Sequence, residues 1–143
     1  MTIPDAVTQK IDEIIKYVGE THGIPLAWDR MESFLGDRAC VFYPVKMVYD
    51  ADPLQEGEFA YMHQVDKDPG KGFMLYMHSE FKDKHDALPC LIAYHIAVVN
   101  FGVDVHYHIA ESLGARLMSM DVDDYYNKAL SLYESLPASR NEA

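Results

Sequence analysis

The sequence predicts an α+β fold with its strands grouped between helices, and three observations carry that prediction. Apolar residues recur at helical spacing near the start of the chain and again over its last third. Between these stretches lie three short runs rich in β-formers. The last two runs are separated by "DKDPGK", whose Pro69-Gly70 pair predicts a hairpin. Grouped strands and grouped helices argue against a parallel doubly wound sheet, in which the two alternate.

Pro4 and Asp5 open the first helix. Val7, Ile11, Ile14, Ile15 and Val18 form its apolar stripe, and Gly19 and Gly23 lie where it should stop. "LAWDRMESFLG" predicts a second, shorter helix with Ala27, Met31, Phe34 and Leu35 inward. "ACVFYPVKMVYD" predicts a strand in which Val45, Met47 and Tyr49 alternate with Lys46 and Val48. Pro44 inside this run argues for a sheet edge or a bulge.

"GEFAYMHQV" and "GFMLYMHSEF" alternate in the same way and form the hairpin, with a type II turn expected at Pro69-Gly70. In that register His63 and His78 are not opposite one another. The sheet is expected to be largely antiparallel.

From about Ala87 to Phe101 the chain is apolar on every side, which predicts a central, buried helix ended by Gly102. Asp104 is the expected N-cap of the next helix, with Val105, Ile109, Leu113 and Leu117 on its stripe. Asp121 should cap the last helix, with Val122, Tyr126, Ala129, Leu130 and Tyr133 inward. Residues 1–136 read as a single α+β domain, and 137–143, "PASRNEA", as a disordered tail.

Composition narrows the function. The chain has 143 residues, 49% of them hydrophobic, enough for a sizeable core. It carries 12 basic against 23 acidic residues, a net charge of −11, which disfavours nucleic acid and anionic membrane as partners. The N-terminus has no signal-peptide pattern and no apolar run reaches spanning length, so a cytoplasmic protein is expected. Cys40 and Cys90 are not close-spaced and read as free core thiols. "DADPLQEGE" is acidic but lacks the spacing of a calcium loop.

His95 is the anomaly, a histidine in the middle of the greasiest segment, "LPCLIAYHIAVVNFG". Its helical neighbours Leu91, Ile92, Val98 and Val99 are apolar. The ring is therefore expected to be buried, neutral and hydrogen-bonded, facing the sheet or the helix that follows. "HYHIAE" adds a second possibility. On a helix His108 and Glu111 share a face, and with His95 they would make a two-histidine, one-carboxylate metal site suited to zinc. Phe59, Tyr61 and Phe73 are expected to share an aromatic sheet face that can wall a small-ligand pocket. Tyr107 and Tyr125 fall off the helical stripes and suit an interface.

"GFMLYMHSEFKDKHDALPCLIAYHIAVV" resembles the last strand and active-site helix of small zincins of the gluzincin type. "HIAESLGARLM" is similar to their small-residue-rich glutamate helix. The resemblance spans most of Ile24 to Met120. It implies a backing helix, a three-stranded sheet, an active-site helix and a glutamate-bearing helix. The family motif is H-E-x-x-H, in which two histidines bind zinc and the glutamate activates water. The stretch aligned here is "HIAVV": His95 fits the first ligand, Ile96 stands at the glutamate position and Val99 at the second histidine. Isoleucine cannot move a proton and valine cannot bind a metal. The resemblance therefore implies a degenerate metallopeptidase domain with no catalytic residue and no bound cofactor.

Three functions follow. The first is a non-catalytic domain for protein–protein interaction or self-association. The second is a metal-dependent hydrolase using His95, His108 and Glu111. The third is a small-ligand binding module.

Overall fold

The structure, a computed structural model, describes residues 3–54 and 58–136. Helix α1 spans Asp5–Thr21 and buries Ile11, Ile14 and Val18. The backbone N–H groups of His22 and Gly23 close it on the Val18 carbonyl, and Gly23 takes φ +93°, which a side chain would resist. A 3₁₀ turn at Trp28–Arg30 leads into α2, Met31–Leu35. Met31 and Phe34 point inward as expected, whereas Ala27 stands exposed ahead of the turn.

Three strands follow: β1 at Val45–Tyr49, β2 at Ala60–Gln64 and β3 at Phe73–Met77. Their order in the sheet is β1-β3-β2, so the strand latest in sequence is central. The β2–β3 hairpin is antiparallel, with His63 opposite Met74 rather than His78. The pairing of β1 with β3 is parallel, so the expected antiparallel sense holds for the hairpin only. Alternation of side chains places Val45, Met47 and Tyr49 on the core face in either direction, so the pattern alone does not specify the sense of β1. Pro44 does mark an edge. It precedes an outer strand, and its carbonyl accepts the Phe73 N–H at 2.8 Å.

The hairpin turn also differs from the expected type II. The Asp68 carboxylate accepts the Gly70 N–H at 2.9 Å and Pro69–Lys71 forms a 3₁₀ turn. That capture moves the left-handed position to Gly72, at φ +96°, where an added Cβ would stand 3.1 Å from the Pro44 carbonyl oxygen.

The core face of the sheet buries Ala60, Met62, Phe73, Leu75 and Met77, whereas Tyr61 and His63 face outward. Phe73 therefore does not share a face with Tyr61, and the expected aromatic wall of Phe59, Tyr61 and Phe73 is not formed. Strand parity decides this, because Phe73 pairs with Gln64 and Tyr61 pairs with Tyr76.

Helix α3, Leu88–Phe101, covers the sheet at β2 and packs against α4, Tyr107–Leu117. Ten of its residues are buried, so the helix has no solvent face to choose. Each large aliphatic side chain buried there contributes about 1.5–3 kcal/mol. Gly102, at φ +106°, ends it as expected. A turn through residues 103 and 104 delays the next helix, so the cap of α4 is His106, not Asp104. The His106 Nδ1 accepts the His108 N–H at 3.1 Å.

Helix α5, Val122–Glu134, is capped by Asp121 as expected. It packs on α4 and α3, but through Tyr125. Val122, Tyr126 and Leu130 of the expected inward stripe are exposed. Cys40 and Cys90 are buried free thiols. Residues 137–143, expected as a tail, lie outside the described residues, as does Glu56 of the acidic loop. No helix among the described residues is long and apolar enough to cross a membrane.

Candidate functional site

The site is a cleft of about 360 Å³ where the start of β2 meets α3, α4 and α5. Its floor comes from Tyr94 and His95 of α3, its far wall from Glu111 of α4, and its rim from Tyr126, Leu130 and Tyr133 of α5. Glu58, Phe59 and Ala60 close the sheet side.

His95 is 7% exposed and its Nδ1 lies 2.9 Å from the Leu91 carbonyl oxygen one turn back, so Nδ1–H donates. Phe59 and Tyr94 meet the imidazole edge-on, with centroids at 5.8 and 5.3 Å. Burial holds the ring's pKa below the usual histidine value, outweighing the Leu91 and Ala60 carbonyls, which favour the charged form. The ring is neutral, buried and hydrogen-bonded, as its apolar neighbours predict.

Helix α5 is placed by one tight fit. Gly114 of α4 leaves a slot that Tyr125 fills: an added Cβ at Gly114 would stand 2.5 Å from the Tyr125 hydroxyl. That hydroxyl donates to the Cys90 carbonyl of α3 at 2.7 Å. Burial raises the phenol's pKa well above its ordinary value, with Cys90 adding to the effect. Tyr125, expected at an interface, is thus a core residue. Its neighbour Tyr126 is rotated outward to the cleft rim, half of its surface exposed.

Among the described residues β2 is an outer strand of the sheet on this side. The His78 N–H bonds the Phe59 carbonyl and the Val65 N–H bonds the Gly72 carbonyl. In an antiparallel ladder these bonds alternate along the strand. Residues 59, 61, 63 and 65 therefore pair with β3, and the backbone groups of Ala60, Met62 and Gln64 point away from the sheet. Ala60 and Met62 are buried and the Ala60 carbonyl faces the His95 ring, so this stretch of the edge is covered rather than open to a further strand.

The candidate metal residues are only partly brought together. His95 and Glu111 line the same cleft. His108 is outside its lining. Its ring stacks on His106 at 4.9 Å and lies 4.3 Å from Tyr107, and its Nδ1 is 3.9 Å from a Glu111 carboxylate oxygen. His95, His108 and Glu111 do not bring their ligand atoms within 4.8 Å of one another. Among the described residues the group that does is His22, Asp37 and Cys40.

That second cluster lies at the end of α1. The Asp37 carboxylate receives the Tyr17 hydroxyl at 2.6 Å, the Ala39 N–H at 3.0 Å and the His22 Nε2 at 2.8 Å. The Tyr17 hydroxyl, then the Ala39 N–H, hold the Asp37 carboxyl below its usual pKa. Burial pushes the Cys40 thiol up to about 12. Asn100 of α3 ties this loop down, donating to the Cys40 carbonyl at 2.8 Å and accepting the Phe42 N–H at 2.9 Å. The sequence gives little sign of this cluster: fifteen positions separate its histidine from its aspartate, and a lone D-x-x-C spacing is common.

Compared with protein-family models, characterised proteins and solved structures, the chain matches none.

Proposed function

We propose that the chain is a non-catalytic, zincin-like domain whose cleft captures an extended segment of a protein partner or of a second copy. The observation that carries this reading is the pair of unburied apolar side chains, Tyr126 and Leu130, at the rim of an aromatic-lined cleft. The start of β2 borders the cleft at Ala60, and on the opposite side α5 leaves Tyr126 and Leu130 exposed. Apolar side chains left unburied beside a cleft are suited to receive the side chains of a docked segment. The non-catalytic part rests on residue identity: Ile96 and Val99 occupy the positions at which a zincin places its general base and second ligand. Both are packed into the core, at 0% and 2% exposure.

The test is a display library of extended peptides, screened alongside sedimentation of the protein over a wide concentration range. The expected result is a peptide, or a concentration-dependent dimer, whose binding is lost in Tyr126→Asp and Leu130→Asp while the melting temperature holds. Cleavage of a bound peptide that a chelator abolishes would overturn the non-catalytic reading. A monomer at every concentration that enriches no peptide would overturn the binding reading.

One observation favours small-ligand binding as the alternative. A volume of about 360 Å³ lies at the low end of the range of ligand pockets, and aromatic side chains line it together with two carboxylates, Glu58 and Glu111. A metabolite that raises the melting temperature of the wild type but not of Glu111→Gln supports it.

A further inference from the structure

We propose that His22, Asp37 and Cys40 bind one divalent transition-metal ion, zinc by the chemistry of the ligand set, as a clamp between the end of α1 and the loop before β1. Three different ligand atoms converge here: an imidazole nitrogen, a carboxylate oxygen and a thiol sulfur, all within 4.8 Å of one another. A sulfur ligand disfavours calcium and magnesium, which take oxygen, and a mixed N/O/S set suits zinc. The side chains of His22 and Asp37 are 7% and 20% exposed, and Cys40 is wholly buried, so the ion would be shielded yet reachable.

Charge also fits. Asp37 and a Cys40 thiolate supply two negative charges and neutral His22 supplies none, so a dication leaves the buried site neutral. The Cys40 sulfur has no strong partner to lose: its nearest acceptors are the Phe34 and Asp37 carbonyls, at 3.8 and 3.6 Å.

Binding can be written in full. The ion forms a bond to the Cys40 sulfur, and the thiol proton leaves to solvent. The ion replaces the proton that joins the His22 Nε2 to Asp37, and that proton moves to Nδ1, so the imidazole stays neutral. Asp37 coordinates through one carboxylate oxygen. The Tyr17 hydroxyl, already bonded to this carboxylate, orients it as outer-shell partners orient metal ligands. A fourth position remains for water. The site shares no residue with the cleft, and its loop is fastened to α3 by Asn100, so its effect is on the packing of α1 and α3 rather than on the cleft itself.

The experiment titrates the chelator-treated full chain with cobalt(II), then with zinc in weak buffer. The expected result is one cobalt per chain with a thiolate-to-cobalt charge-transfer band. The band should be absent in Cys40→Ser and unchanged in Cys90→Ser. Tyr17→Phe should keep the band with an affinity lowered about 10- to 100-fold. Zinc should displace the cobalt, release one proton per chain on binding to the metal-free protein, and raise the melting temperature. Proton release is read on the wild type, so it decides the matter even if Cys40→Ser does not fold. A wild type that shows no band, or zinc binding that releases no proton, overturns the proposal. So does a band that survives Cys40→Ser, which would place the metal elsewhere.

Discussion

Helices α3 and α5 have similar lengths, fourteen and thirteen residues, and opposite relations to the core. Ten residues of α3 are buried, whereas Tyr125 is the buried residue of α5. A helix apolar all round offers no choice of face, so its burial follows from composition alone. An amphipathic helix has a face to choose, and the choice depends on what its neighbour presents. On α5 the spacing favours Val122, Tyr126 and Leu130, yet the slot at Gly114 selects Tyr125 and turns that stripe toward solvent and the cleft. The unburied apolar residues of α5 are therefore surplus to folding and available for binding.

The difference can be broken from either side. The largest effect is expected in α3: Ile96→Ala should cost about 2–5 kcal/mol in a urea melt, as a large-to-small change in a closed core does. A cost below 1 kcal/mol would mean that α3 is not the centre of the fold. Next comes Gly114→Ala. Alanine in a helix normally stabilises by up to about 1 kcal/mol relative to glycine, but here the methyl collides with Tyr125, and a loss of about 1–3 kcal/mol is expected. Combined with Tyr125→Ala, it should cost less than the sum of the two single losses, because the collision is gone. A stabilised Gly114→Ala single variant would show that the slot does not fix α5.

His95 sharpens the comparison through pH. Its folded pKa lies below the ordinary 6.5, so the unfolded chain takes up a proton that the folded chain refuses. The contribution is fully present above about pH 6.5 and is lost as pH falls below it. Stability should therefore drop between pH 7.5 and 5.5 more steeply in wild type than in His95→Leu. Equal slopes would mean that the ring charges freely and is not buried. The smallest effect belongs to the cleft rim: Leu130→Ala should move stability by less than about 0.5 kcal/mol, since the side chain is 40% exposed. A large loss there would restore α5 to the core.

Much of this architecture is legible without coordinates, for reasons that vary along the chain. The central helix and its glycine stop follow from composition and from one residue that tolerates positive φ. The hairpin follows from its turn residues, although Asp68 alters the turn that forms. The environment of His95 follows from its neighbours. What stays hidden depends on long-range pairing. The sense of β1 is invisible because side-chain parity is the same in both directions. The cap of α4 shifts because two residues spend themselves in a turn. His95 and Glu111 are brought to one cleft, while His108 is held beside it in a ring stack. The His22, Asp37 and Cys40 cluster comes from two segments that no local motif connects.

The strand order carries a consequence for how the chain is made. Among the described residues both β1 and β2 bond only to β3, the last of the three to leave the ribosome. Until about residue 77 has emerged, neither earlier strand has its partner, and each presents unpaired backbone along with the apolar residues that will face the core. Local closure then favours the hairpin first, since its turn is short, and β1 joins across a wider loop. The nascent chain thus passes through a stage in which Val45 to Gln64 must be kept from pairing with other chains. The charges of that stretch, Lys46, Asp50, Asp52, Glu56 and Glu58, are placed to discourage such contacts while the centre of the sheet is still being synthesised.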